Sequence, residues 1–364
     1  MEIKTLNLIQ FRNYEKQTFH FHPLVNIIIG DNAQGKTNIL EAIYLLSTTR
    51  SFKSRMLDEM IMFDQSYTRV SGHIVNGTRP YDLKVVVSKE GKKAFINDKA
   101  VSKTSDYLGY FNVILFTPQD LQLIKGSPKM RRTLIDTEIS KISPIYMFNL
   151  NKYNKLMKER NKYLKMLHDG HKEPDMYLEV LSEEMAELEE DLIQRRMKFI
   201  KLLNEISGQM YAYISGKEKL VLRYHTQFKD ISKEGILDKY KKNYKRDIFQ
   251  GTTVDGVHKD DLKIFLDEND AGMFASQGQQ RSIILSMKIA LVEIVKMQIG
   301  EYPVLLLDDV LSELDEERKM KLLNLIDHKV QTFITTTHFD LGYHHSLDDA
   351  LVLRIEKGTL KEDK

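Results

Sequence analysis

The chain has 364 residues, 42% hydrophobic and 29% charged, a balance that excludes a disordered or fibrous protein and supplies a core large enough to fold without metals or disulfides. Fifty-four Lys and Arg against fifty-two Asp and Glu give a formal net charge of +2, so an anionic partner must be met by a local patch and not by bulk charge. The absence of cysteine rules out zinc-thiolate sites, iron-sulfur ligation and thiol nucleophiles together.

The opening segment, MEIKTLNLIQFRNY, mixes charge with alternating apolar positions and lacks the apolar stretch of a signal peptide. No run approaches the roughly 18 apolar residues of a membrane span, so a soluble cytoplasmic protein with no membrane partner is expected. Residues 3 to 11 (IKTLNLIQF) and 24 to 29 (LVNIII) read as strands, the second as a run buried on both faces. A glycine-rich loop from Gly30 then leads into a helix in which Ile39, Leu40, Ile43 and Leu46 recur at helical spacing. Alternating stretches at 69–75, 81–87, 94–96 and 112–116 predict further strands in one mixed sheet region.

From about residue 129 to 215 the pattern changes to long polar helices, and the proline-free span from 175 to 302 permits them. They read as an antiparallel pair or small bundle, with a coiled coil of modest length as the competing reading. A strand at 220–225, a lysine-rich helix near 231–247 and a strand into a turn at DDLKIFLDEND follow. Next come a helix (SQGQQRSIILSMKIALVEIVKM), a buried strand (EYPVLLLDDV), a helix (DEERKMKLLNLI), a strand (VQTFITTTH) and an edge strand (ALVLRIEKG). The fold class is α/β, divided as 1–125, an inserted helical lobe at 126–249, and 250–364, the outer two being halves of one domain.

Gly30-Asp31-Asn32-Ala33-Gln34-Gly35-Lys36-Thr37 fits G-x-x-x-x-G-K-T between a strand and a helix. In that pattern the backbone N–H groups cradle phosphates, Lys36 reaches the β and γ oxygens, and Thr37 ligates Mg²⁺. A structural glycine turn with an exposed lysine is the plain alternative. Val304 to Leu307 form an apolar strand ending in Asp308 and Asp309, and charges at the end of a buried strand belong in a crevice. Asp308 is the candidate for holding Mg²⁺ through water, and Asp309 for polarising the attacking water. Read with the loop, the pair points to nucleotide hydrolysis.

Ser276-Gln277-Gly278-Gln279-Gln280 ahead of a helix is similar to the signature motif of ATP-binding-cassette ATPases of the chromosome-maintenance type, and Ser312-Glu313-Leu314-Asp315 resembles their D-loop. More narrowly, FRNY at 11–14, GDNAQGKTN at 30–38, FTPQDLQLIKGSPKMRR at 116–132, HKDD at 258–261, SQGQQR at 276–281 and LLLDDVLSELD at 305–315 resemble the bacterial RecF family, in order along essentially the whole chain. The resemblance implies an ABC-type P-loop ATPase head with mixed sheets and an inserted all-helical lobe. It implies ATP and Mg²⁺ as cofactors and a weak ATPase acting as a conformational switch. Ser276 and Gly278, with Gln277 and Gln279, would meet the γ-phosphate held by a second subunit, so that ATP joins a homodimer. Gln119 would stand in the Q-loop, touching the metal or its water, and His338 at the place of a switch histidine. Arg12 and Asn13 would approach the nucleotide from the side, and Asn38 would bind it with the phosphate loop.

The family's role implies double-stranded DNA and single-strand to double-strand junctions as partners, with RecR and RecO and functionally RecA, in recombinational repair, replication and the SOS response. Two basic tracts could meet phosphates without reading bases. One holds Lys152, Lys155, Lys158, Arg160, Lys162 and Lys165, the other Lys239, Lys241, Lys242, Lys245 and Arg246. A structural-maintenance ATPase that bridges DNA, a P-loop kinase and a transporter ATPase are the rival readings.

Overall fold

The computed structural model describes residues 1–54, 56–171, 176–216, 218–337, 347 and 349–361. The chain groups into two units: Met1–Leu121 with Gln209–Lys217 and Gln277–Lys364, and Gln122–Gly208 with Glu218–Ser276. Residues 250–276, expected in the second half of the ATPase, therefore group with the lobe.

The first unit holds two six-stranded sheets where the sequence suggested one mixed region. The first is antiparallel throughout, in the order β2 (Tyr14–His20), β1 (Glu2–Phe11), β4 (Tyr67–Asn76), β5 (Arg79–Ser88), β6 (Gly91–Ile96), β7 (Lys99–Val101). The second runs β15 (Thr359–Lys361), β14 (Leu351–Glu356), β3 (Val25–Ile29), β13 (Thr332–Thr336), β12 (Val304–Asp308), β8 (Val113–Phe116), parallel except at β15. β14, expected as the edge, is covered by β15, and both β2 and β15 went unread because short polar strands carry no apolar run.

The two sheets differ as their patterns require. β12 and β13 are buried at every residue, whereas β5 alternates, with Leu83, Val85 and Val87 turned inward. Helix α1 (Lys36–Thr48) is apolar on more than one side and shares one core with both sheets: Ile39, Leu40, Ile43, Leu45 and Leu46 are fully buried together with Leu6, Val70 and Ile74 and with Ile28, Leu306 and Phe333. Each such side chain contributes about 1.5–3 kcal/mol of burial. A Cβ at Gly72 of β4 would lie 2.9 Å from Leu46 Cδ1 and 2.9 Å from Thr5 O, so glycine lets helix and sheet close up.

Among the described residues, the other α-helices of the first unit are the single turn α2 (Thr104–Tyr107), α9 (Gln277–Ile299) and α10 (Glu316–Ile326). The second unit contains α3 (Gln122–Lys125), α4 (Pro128–Ile142), α5 (Pro144–His168), α7 (Lys233–Gln250) and α8 (Ala271–Phe274), and most of α6 (Tyr177–Ile214), whose end from Gln209 groups with the first unit. The lobe is not all-helical: β9 (Leu220–His225), β10 (Asp261–Leu266) and β11 (Asn269–Asp270) form an antiparallel sheet within it.

Buried ion pairs run through this unit. Arg160 meets Asp247 at 2.8 Å and also bonds Ser182 and Thr253; Arg196 meets Asp136 at 2.8 Å and the Val257 carbonyl at 2.8 Å. Arg160, which the sequence grouped with a solvent-facing basic tract, is 1% exposed.

Candidate phosphate-binding site

The parallel strands end in register: Ile29 of β3 stands beside Thr336 of β13, Thr335 beside Asp308 of β12, and Leu307 beside Phe116 of β8. Their carboxyl ends are where an open α/β sheet receives ligands. The loop 30–35 leaves β3 there and turns into α1.

Gly35 caps α1 at φ +113° with no side-chain bond, and the first turn of the helix carries no acidic residue, leaving the amides of Lys36 and Thr37 for an anion, whereas Asn38 N donates to Gly35 O at 2.9 Å. A Cβ at Gly35 would lie 2.7 Å from Asn13 Nδ2, and one at Gly30 would collide with the Ile355 carbonyl. Both glycines are thus required by close approach and, at Gly35, by backbone angle.

Two segments fix the loop. Asn13 Nδ2 donates to Gln34 O at 3.0 Å and its Oδ1 accepts from Asn38 at 2.8 Å, while Tyr14 OH donates to Gly35 O at 3.1 Å. From the β14–β15 turn, Gly358 N donates to Gln34 O at 3.0 Å and Lys357 N to Gln34 Oε1 at 2.6 Å. Arg12 is not a free loop arginine: its guanidinium clamps the fully buried Glu41 of α1, with Nε to Oε2 at 2.9 Å and Nη2 to Oε1 at 2.6 Å.

Lys36 Nζ donates to the Gly30 carbonyl and, at 2.9 Å, to the Asp31 carbonyl. Burial pulls its ammonium below the ordinary value, against the attraction of Asp309, Asp308 and Asp31. Thr37 Oγ1 donates to Asp308 Oδ1 at 2.8 Å, joining the loop to β12. Burial pushes the Asp308 carboxyl above its ordinary value, and the hydroxyls of Thr335 and Thr37 work against that rise. A hydroxyl and a carboxylate oxygen side by side, with a charge that burial disfavours, are a donor set fitting Mg²⁺. Among the described residues no cluster of three His, Cys, Asp or Glu could hold a metal.

Asp309 is exposed and adopts φ +54°, a left-handed conformation costing a non-glycine residue about 1–3 kcal/mol. It is held there by Asp309 N donating to Thr335 Oγ1 at 2.9 Å and by Ser312 Oγ donating to Asp309 O at 2.7 Å. Gln119 is exposed in the turn after β8. His338 lies outside the described residues.

The start of α9 gathers with a different segment. A Cβ on Gly278 would find the Arg318 guanidinium at 3.8 Å, and Arg281 Nε lies 3.3 Å from Glu313 Oε2, next to Ser312 and Asp315. Sequence reading missed Thr335, Glu41 and Lys53. Lys53 Nζ donates to Asn38 Oδ1 at 2.7 Å, and burial lowers its pKa. Glu41, the one carboxylate of α1, set in the apolar run Ile39, Leu40, Ala42 and Ile43, was the one of the three with a visible signal.

A family model described as the RecF/RecN/SMC N terminal domain matches residues 2–355. The chain is 42% identical over 370 residues to the DNA replication and repair protein RecF of Halalkalibacterium halodurans, covering 100% of both. It belongs to the RecF family. A solved structure of the recombination mediator protein RecF-ATP in the RecFOR pathway superposes with a TM-score of 0.91 at 32% identity, covering 100% of this chain and 97% of that one. An Smc head bound to the C-winged helix domain of ScpA shares the fold alone, at TM-score 0.59 and 18% identity over 99% of this chain and 96% of the other. The kinase and transporter readings therefore give way to a RecF-type head. No helix among the described residues is long and apolar enough to cross a membrane.

Proposed function

We propose that this chain binds ATP with Mg²⁺ on the loop 30–38, dimerises through that nucleotide, and in this form engages duplex DNA at gaps and junctions in recombinational repair. It would act with RecR and RecO to help place RecA. The observation that carries the reading is the bond from Thr37 to Asp308, which brings the end of the phosphate loop and the acidic strand to one point across 271 residues.

Thr37 and Asp308 would hold Mg²⁺, which when bound neutralises charge on the β- and γ-phosphates. The α1 amides and Lys36 bind the phosphate oxygens, and Gln119 stands at the same strand ends. Asp309 orients a water and takes its proton as the water oxygen bonds to the γ-phosphorus and the bond to the β-bridging oxygen breaks, leaving ADP and phosphate. Ser276, Gln277, Gly278 and Gln279 are assigned to the nucleotide held by a second copy, so hydrolysis resets the dimer. Cytoplasmic action accords with these partners.

Light-scattering mass without nucleotide, with ADP, and with ATP and Mg²⁺ tests the reading. A dimer only with ATP, lost in Lys36→Arg and Ser276→Arg, is the expected result; a chain that stays monomeric with ATP bound would overturn the shared site.

A further inference from the structure

Helix α5 exposes four lysines in a line. Lys155, Lys158, Lys162 and Lys165 are spaced by three, four and three residues and all are exposed, as is Glu159 among them, while Tyr153, Arg160, Tyr163 and Leu164 are buried. From Lys155 to Lys165 the line runs about 15 Å. Helix α7 packs on α5 in the same unit, with the Arg160 guanidinium 4.7 Å from the centre of the Tyr240 ring and paired with Asp247, and it exposes Lys241, Lys245 and Arg246. Among the described residues these seven cations have no carboxylate within 4 Å, whereas their neighbours Lys152, Lys239 and Lys242 pair with Glu184, Asp255 and Asp238. The two tracts legible in the sequence are thus thinned by the fold to the members left free for an outside partner.

We propose that these two packed helices form a contact surface for the DNA backbone, in which Lys155, Lys158, Lys162, Lys165, Lys241, Lys245 and Arg246 bind phosphates without reading bases. The inference rests on the DNA-binding reading above and assigns its location. With a net charge of only +2, attraction to a polyanion must come from such unpaired local charge. Flexible lysines on rigid helices suit repeated phosphates rather than base edges. An anionic membrane is the poorer fit, because the exposed positions between Lys155 and Lys165 are Lys158, Glu159 and Lys162, while the exposed apolar side chains of these helices, Ile145, Phe148 and Phe249, lie toward their ends and away from the middle of the lysine line.

The test measures binding of the full-length protein, with ATP and Mg²⁺, to a fluorescent gapped duplex across a salt series. One variant carries Lys155→Gln, Lys158→Gln, Lys162→Gln and Lys165→Gln; another carries Lys241→Gln, Lys245→Gln and Arg246→Gln. The slope of log affinity against log salt becomes shallower by about 3 to 4 in the first and about 2 to 3 in the second. Affinity falls at least about tenfold for unrelated DNA sequences alike, while circular dichroism, ATP binding and dimer mass stay as in the wild type. A wild-type slope in either variant overturns the surface and leaves the function standing. A wild type that dimerises with ATP yet binds no DNA overturns both. Capture of the wild type by phosphatidylglycerol vesicles, lost in variants whose DNA binding is unchanged, reassigns the surface to lipid and overturns the proposal.

Discussion

Thr335 holds both acids at the end of β12: its hydroxyl donates to Asp308 Oδ1 at 2.9 Å and accepts the Asp309 amide at 2.9 Å. One β-branched residue on the neighbouring strand thereby fixes the Asp308 carboxylate and the left-handed turn of Asp309. Thr335→Val keeps the shape and removes both bonds. A hydrogen bond to a charged group is worth about 1.5–3 kcal/mol, so kcat for ATP hydrolysis falls roughly ten- to hundredfold. Steady-state phosphate release decides the matter, since an unchanged kcat would mean that Thr37 alone suffices to place Asp308.

Asp309→Asn keeps the size of the side chain and removes its capacity to take a proton. Hydrolysis is lost while ATP still binds and still dimerises the chain. Quenched-flow phosphate release and light scattering on one preparation check this, and hydrolysis at the wild-type rate would remove Asp309 from the reaction.

Arg12→Ala leaves Glu41, at 0% side-chain exposure, without its guanidinium. Stranding a buried charge costs about 3–5 kcal/mol. The urea midpoint should drop before nucleotide is added, whereas a purely nucleotide-contacting arginine would change ATP affinity with no shift in the midpoint.

In the lobe, two titrations oppose one another. Burial pushes the Glu189 carboxyl up to about 7 and pulls the His258 imidazole down to about 4, and Tyr153 OH bonds His258 Nδ1 at 2.8 Å between them. From about pH 4.5 to 7 the folded state keeps a proton on Glu189 that the unfolded chain has lost, so this residue makes stability fall as pH rises. From about pH 6.5 down to 4 the folded state refuses a proton on His258 that the unfolded chain takes, so stability falls as pH drops. The two contributions, each about 3 kcal/mol, nearly cancel between pH 5 and 6.5. His258→Asn exposes the first slope and Glu189→Gln the second, in urea unfolding repeated across that range; parallel curves for both variants and the wild type would show that neither group titrates on unfolding.

The sequence was most legible where one local rule sufficed. The loop 30–37 and the strand ending in Asp308 and Asp309 announce themselves through glycine spacing and an apolar run, and both stand where they were expected. The family resemblance carried by SQGQQR and SELD is matched by the comparison over residues 2–355. What escaped depends on pairing across long separations. Tyr14 to His20 form a strand because they pair with β1, although their side chains are mostly polar. Thr335 reads as one more β-branched strand residue until β13 lies beside β12. Arg160 looks like its lysine neighbours in a list of cations, and only helical phase turns it toward Asp247.

Beyond its first turn, helix α1 lies within a core it shares with two sheets, so its amides from Leu40 onward exchange with solvent only when that core opens. Its protection in hydrogen exchange should track the global stability of the first unit and respond little to which nucleotide is present. A difference between ATP and ADP is then expected in the turn from Asp309 to Asp315, where Asp309, Ser312 and Asp315 are exposed and a single phosphate could alter exchange. The chain would thus separate the part that holds its nucleotide from the part that tells a second molecule which nucleotide it holds.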